Sequence, residues 1–566
     1  MMNTFHFVMA TTTHTTPLLA DIVNGVVDYK NRPVYRSKSG GWRSASLLIG
    51  VGIAESLAYF GISMNLITFL TGPLDQSTVT AAANVNAWYG AASLLPLLGA
   101  FVADSFLGRY RTVIISSLIY ILGLGLLTLS AVFTSLDSTD SPPKLQIMLF
   151  FFSLYLVALA QGGHKPCVHA FGADQFDAHH PEECQSKSSF FNWWFFCVSS
   201  ATTVSLVVLI YIQDNLGWVL GFGIPCISMG ISLILYLLGT KTFRYSISDN
   251  QKSPFTRIGR VFVKAIKNWR ITFSQEIFDE EVPGTSHHQS FQQFKFLNKA
   301  LLCPDGSNND ANICSMNDVE EAKAVLRLVP IWASCLVCSA VFSQLRTFFT
   351  KQGVTMNRTI GSDFEIPPAA FLIFGALPII IIIPIYDRIL VPCARAITER
   401  HSGITMLQRI GVGIGFSIIS MVIAALVEMK RLQTARDYGL VDKPEVTIPM
   451  DIWWLIPQYV LCGTADVFTM IGLQEFFYDQ VPSELKSIGL ALNISIFGIG
   501  SFLSSFLIWV IEETTRCSGQ EAWFPDNLNK GHLDYFYWML GGLSSVSAIF
   551  YLHFARTYVY RRKHTF

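Results

Sequence analysis

The sequence is short of charge. Asp, Glu, Lys and Arg make up only 14% of its 566 residues, against about 25% in soluble domains. Its 40 basic and 40 acidic residues cancel, so no basic excess points to nucleic acid. The 11 cysteines are odd in number, and Cys197, Cys226, Cys335, Cys338 and Cys462 sit inside apolar runs, which is not the spacing of a disulfide framework. Cys335 and Cys338 form a C-x-x-C within such a run and read as packing residues rather than a redox or metal pair. The first forty residues lack the unbroken apolar core of a cleavable signal peptide and carry Lys30, Arg32, Arg36 and Lys38 instead. The first apolar helix is therefore expected to act as the membrane signal.

Apolar residues, by contrast, are abundant: 51% of the chain, with a mean hydropathy of +0.42. A soluble fold of that composition would expose large apolar patches and aggregate; lipid is the solvent that suits it. Runs of spanning length recur at 43–70, 80–104, 111–134, 146–170, 188–212 and 217–239, and again at 321–350, 366–390, 405–428, 450–478, 486–512 and 533–556. They predict an all-α membrane protein with 12 transmembrane helices in two six-helix bundles. Residues 1–42 form an N-terminal segment, 43–240 the first bundle, 241–320 a linker, 321–556 the second bundle and 557–566 a tail.

Positive charge orients the spans. The N-terminal basic residues, Arg109 and Arg111, then Arg388, Arg395, Arg400 and Arg409, then Arg556, Arg561, Arg562 and Lys563 all fall on one side, expected to be cytoplasmic with both termini. Lys430, Arg431 and Arg436 fall on the other side and break the rule, mixed with Glu428 and Asp437. Asn357-Arg358-Thr359 is a glycosylation tripeptide on that outer side. In the linker, Arg257, Arg260, Lys264 and Lys267 recur at helical spacing opposite Ile258, Val261, Ala265 and Trp269, which predicts a basic amphipathic helix on the cytoplasmic leaflet. Ala103-Asp104 with Gly108-Arg109, and Tyr386-Asp387-Arg388, set an acid before a base at matching hinges and suggest two repeats.

The stretch from Gly99 through Asp104, Gly108 and Arg109 to Thr112 resembles the signature of the proton-coupled oligopeptide and nitrate transporter family, a branch of the major facilitator superfamily. The stretches 171–177, 364–368 and 474–480 are similar to its plant members, and the resemblance runs from about Gly41 to Arg556. It implies the major facilitator fold and alternating access. It also implies a cargo among nitrate, di- and tripeptides, amino acids, hormones and glucosides. The family's first-helix pattern Glu-x-x-Glu-Arg reads here Gly52, Glu55 and Ser56, with the aromatic pair Tyr59 and Phe60 following. Its paired fourth-helix lysine is Lys165, its tenth-helix glutamate is replaced by Asp466, and its fifth-helix asparagine by Ser199.

Charges inside membrane helices need a partner or a wet cavity. Glu55, Lys165 and Asp466 are thus the candidate coupling and gating residues, with a Glu55–Lys165 pair that would be net neutral. Asp104 and Arg109 are expected to form a latch at the cytoplasmic end. Tyr59, Asn84, Trp88, Lys165, Gln344, Asp466 and Asn493 are candidate substrate-binding residues, and Asn192 precedes a Trp193-Trp194 pair. No histidine lies in the seventh helix. His164, Cys167, His169, His179, His180 and Cys184 cluster near the fourth helix's end, but their spacing fits no metal-ligand pattern. No nucleophile–base pair supports an enzyme, and no cofactor is expected. One acid facing one base leaves a single proton site, so proton coupling is expected to be weakened or lost. The expected function is secondary transport of a small solute: nitrate, another small anion or a polar metabolite. A proton symporter of di- and tripeptides, amino acids or hormones is one alternative. A solute-sensing membrane receptor is another. The partners are the small solute, protons and the bilayer of the plasma or vacuolar membrane, with Leu18-Leu19 a weak sorting candidate.

Overall fold

A computed structural model describes residues 22–76, 78–136, 144–177, 180–246, 254–270, 293–302, 314–360, 364–366, 371–398, 404–518, 523–525 and 527–560. Leu18-Leu19, His179, Arg400, Arg561, Arg562, Lys563, Pro367, Pro368 and linker residues 271–292 and 303–313 lie outside the described residues.

Among the described residues, twelve helical spans, some joined from successive segments, are long and apolar enough to cross a membrane. The first six are α1 (Gly41–Ser63), α2 (Thr78–Val102), α3 (Arg109–Leu136), α4 (Lys144–Ala173), α5 (Pro181–Val204) and α6 (Trp218–Gly239). The second six are α7 (Met316–Ser343), α8 (Leu372–Ile385), α9 (Met406–Asp437), α10 (Ile456–Gln480), α11 (Lys486–Ser518) and α12 (Leu533–Arg556). Each expected apolar run falls on one of them. An even number of crossings puts the start of α1 and the end of α12 on one face, the terminal face; the other is the far face.

Three apolar clusters hold this architecture. One lies in the first half around Tyr59, Phe69, Trp88 and Phe150, and one in the second half around Ile410, Tyr459, Phe476 and Tyr537. The third crosses between halves, joining Phe171, Phe190 and Trp194 to Ile379, Val467, Tyr478 and Leu490. Both α2 and α8 run into five-residue π-helical segments, Ala103–Leu107 and Tyr386–Leu390, at the hinge motifs. Such bulges mark functional positions. The first ends at Gly108, whose φ of +74° suits glycine and turns the chain into α3.

On the terminal face, strands β1 (Ile22–Val27), β2 (Pro33–Tyr35) and β3 (Tyr245–Ser246) form an antiparallel sheet in the order β2-β1-β3. It ties the N-terminal segment to the start of the linker. Arg36 pairs with Asp177 at 2.7 Å and Glu183 at 3.1 Å, so this basic residue is a structural clamp as well as a topology signal.

Three details correct the sequence reading. The linker helix, Pro254–Lys267, buries Ile258, Val261 and Ala265 against the second half, so the face assigned to the leaflet is a protein contact. Arg257 reaches Glu484 at 2.6 Å and Glu321 at 3.2 Å. Trp269, assigned to the same apolar face, points outward at 67% exposure, because the helix ends at Lys267 and the chain turns. Finally, α9 continues past residue 428 to Asp437. Arg431 is therefore no loop charge: it is fully buried, 2.6 Å from Glu428, with Asn529 and Thr355 completing its hydrogen bonds. A buried, paired arginine does not act as a topology signal, which removes one of the three exceptions to the charge rule.

Candidate functional site

A cavity of about 330 Å³ runs between the two halves. Its polar wall carries Tyr59 of α1, Lys165 and His169 of α4, Asp466 of α10 and Asn493 of α11. It extends to Met64, Leu206, Leu345 and Leu372, which lie at the far-face ends of their helices. Four residues selected from sequence thus meet on one surface: Tyr59, Lys165, Asp466 and Asn493.

Three others lie off that surface. The Trp88 indole is fully buried and donates to the Leu154 carbonyl at 2.9 Å, and its ring stacks on Tyr59. Gln344 is fully buried and bonds within its own half, to the Ala340 carbonyl and Ser504. Asn84 donates to Gln76 at 3.0 Å. Polarity marked these three, but each satisfies its hydrogen bonds against neighbouring helices and loops, the commoner use of a polar side chain in a membrane helix.

The Glu55–Lys165 contact is also corrected. Glu55 is 4% exposed and its Oε1 has no hydrogen-bond partner among the described residues. Lys165 acts on it through space, but no ion pair joins the two. The Lys165 ammonium instead lies 5.5 Å from the Tyr59 ring centroid and 5.8 Å from that of Phe60. Aromatic faces attract a cation, so the lysine is held at the cavity wall while the glutamate stays one turn deeper on α1. The histidines divide as well: His164 is fully buried and off the cavity, whereas His169 is on it.

At the terminal face a network of ion pairs and hydrogen bonds, the expected latch, joins the two halves. Arg109 pairs with Asp104 at 3.2 Å and Asp174 at 2.5 Å, and donates to Ser487 at the start of α11 at 2.9 Å. The other Asp104 oxygen accepts the Ile488 backbone N–H at 3.1 Å, using the donor-rich N-terminus of α11. Asp174 also accepts from Lys486 and Tyr478, each at 2.5 Å. Burial alone would raise the Asp174 carboxyl, but Lys486 and Arg109 outweigh it and hold it well below the ordinary carboxylate range. Nearby, Lys187 meets Asp479 at 2.5 Å. Asp387 in the second π-helical segment accepts from Ser189, Asn192 and Trp193 of α5. The sequence pointed to Asp104 and Arg109; Asp174, Lys187, Tyr478, Asp479 and Lys486 were missed, although all sit at helix ends on the same face.

Asn357 is on the far face. Its Nδ2 donates to Asp451 at 2.9 Å and its oxygen accepts from Thr359.

The sequence and the fold match known proteins. The POT family profile matches residues 110–524. The chain belongs to the POT family. Among its POT and NRT1/PTR relatives, it is 60% identical to Protein NRT1/PTR FAMILY 5.10 of Arabidopsis thaliana, over 97% of this chain and 98% of that protein. It is 52% identical to Protein NRT1/PTR FAMILY 5.16 of the same plant, over 96% and 98%. The fold is that of a crystallised auto-inhibited POT family peptide transporter, at a TM-score of 0.60 and 21% identity, covering 93% of this chain and 98% of that one. A POT family transporter in complex with 5-aminolevulinic acid gives 0.55 at 15% identity, over 92% and 98%. The chain is therefore a multi-pass membrane transporter of the POT family, and not an enzyme.

Proposed function

We propose that this transporter carries a small anion, nitrate among them, by alternating access. One observation carries the reading: Lys165 stands on the cavity wall as a cation with no ion-pair partner among the described residues. A desolvated ammonium in that position attracts an anion entering from the far face. The aromatic rings of Tyr59 and Phe60 hold it in place without neutralising it. With the latch closed, the cavity communicates with the far face. When the latch breaks, the halves rock and the anion leaves on the terminal face. The single carboxylate left in the first-helix motif, Glu55, offsets the lysine's charge through space.

The pairing of Lys165 with Asp466 in one cavity favours a second reading. A cation on one wall and a carboxylate on another suit a zwitterion, such as an amino acid or short peptide. The relative whose structure holds 5-aminolevulinic acid has the same fold.

Counterflow in proteoliposomes separates these readings. Vesicles loaded with unlabelled nitrate should accumulate labelled nitrate, and unlabelled amino acids or dipeptides should not compete. Exchange of amino acid but not nitrate would replace the first reading with the second. Binding of either solute without exchange would make the chain a receptor.

A further inference from the structure

The place on α1 where a second carboxylate would stand is taken. A Cβ on Gly52 would lie 2.7 Å from Cη2 of Trp194, so no glutamate fits there unless the indole moves. Trp194 in turn lies flat on His169, with ring centroids 4.5 Å apart and planes 4° apart. His169 sits one helical turn beyond Lys165 on the cavity wall, 6% exposed, and its Nε2 has no hydrogen-bond partner among the described residues. Phe190 and Phe191 of α5 close its other sides, at 6.0 and 5.3 Å. The charged groups that share the cavity with it are Lys165, which acts on it through space, and Asp466 on α10. An unpartnered buried polar atom is costly and asks for a ligand or a proton.

Opposing forces act at this ring. The indole face beneath it favours an imidazolium. Burial, and then the ammonium one turn away, disfavour it. An anion seated beside both cations opposes both of these, by its charge and by accepting a hydrogen bond from the ring, and leaves the attraction of the indole face.

We propose that His169 is the proton-accepting half of the anion site. As the anion arrives, Nε2 takes a proton from hydronium in the solvent of the open cavity, leaving water, and its N–H donates to the anion beside Lys165. One positive and one negative charge are added together, so the loaded cavity keeps its net charge. Proton and anion then leave together on the terminal face. The coupling carboxylate missing at Gly52 is thereby replaced by an imidazole on α4. This inference rests on the small-anion reading above.

The full-length chain in proteoliposomes, with nitrate as the probe, tests it. Between about pH 7.5 and about pH 5.5, the window in which histidine titrates, wild-type nitrate uptake should rise. H169Q should lower uptake at the acid end by about tenfold or more, as for loss of a hydrogen bond to a charged group, and flatten the pH profile. H169R, with a permanent charge, should restore uptake without restoring pH dependence. Imidazolium quenches a stacked indole, so the acid-induced loss of tryptophan fluorescence should shrink equally in H169Q and W194F. If H169Q or H169R keeps the wild-type pH profile, the inference is overturned while the anion reading stands. If the wild type neither binds nor moves nitrate at either pH, both fall.

Discussion

Two buried charge networks, one at each face, show why a charge can be in the same environment and have opposite roles. On the far face, Glu428 and Arg431 are both fully buried and 2.6 Å apart, and their partners Gln352, Thr355 and Asn529 belong to the same half. Nothing in a rocking motion need disturb them. On the terminal face, Asp104, Arg109 and Asp174 belong to one half, and Lys486, Ser487 and Tyr478 to the other. Under the alternating access proposed above, those bonds break each time the cavity opens there. The chemistry is similar, so whether a network is a staple or a switch depends on whether it crosses the boundary between rigid bodies.

Substitutions can break that distinction, and the largest effect is expected at the staple. Arg431→Ala strands a buried carboxylate and should cost about 3–5 kcal/mol, read as a large drop in melting temperature in detergent. Replacing both partners, Glu428→Gln with Arg431→Met, should recover most of the loss. A single variant that melts like the wild type would show that the pair contributes nothing. Next is Lys165→Ala, which should lower nitrate counterflow by about tenfold or more at unchanged melting temperature, as for loss of a charged hydrogen bond. Full activity would leave Lys165 a packing residue. Asp174→Asn should do little to stability but shift the conformational balance by about 1–3 kcal/mol. Spin-label distances across the terminal face should then lengthen; distances that stay put would mean the latch does not hold the closed state.

A pH experiment sharpens the comparison further. The Asp174 carboxyl is lowered from its ordinary 3.8 in the folded protein. Its contribution is thus fully present above that ordinary value and is lost only as pH falls through the lower folded value. Acidifying from about pH 7.5 to about pH 5.5, where histidine rather than a paired aspartate titrates, should therefore leave the latch distances unchanged. Opening in that range would place the pH sensor in the latch. The smallest effect belongs to Asn84→Ala, which removes one hydrogen bond to Gln76 and should change counterflow by less than about threefold.

How much of this was legible in advance follows the range of the forces involved. Hydropathy is local, so all twelve spans could be read from it, and the hinge motifs placed Asp104 and Arg109 at the terminal face. Lys165 and Asp466, singled out because a charge in a membrane helix is rare and costly, lie on the cavity wall, whereas Glu55, chosen on the same ground, lies off it. Asn84, Trp88 and Gln344 were misread because a polar side chain in an apolar run announces only that it needs a partner, not where that partner lies. His169 was passed over as one member of a histidine and cysteine cluster. Its spacing of four from Lys165 was the available signal, since residues four apart share a helical face.

The sequence by itself determined the solvent, the number of crossings and the family, because apolar length and motif order are carried by consecutive residues. Only the tertiary structure decided that Lys165 rests over aromatic rings and not against Glu55, that Trp194 occupies the space beside Gly52, and that Asp174 and Lys486 meet across the halves. Those contacts join helices far apart in the chain, and packing in three dimensions sets them.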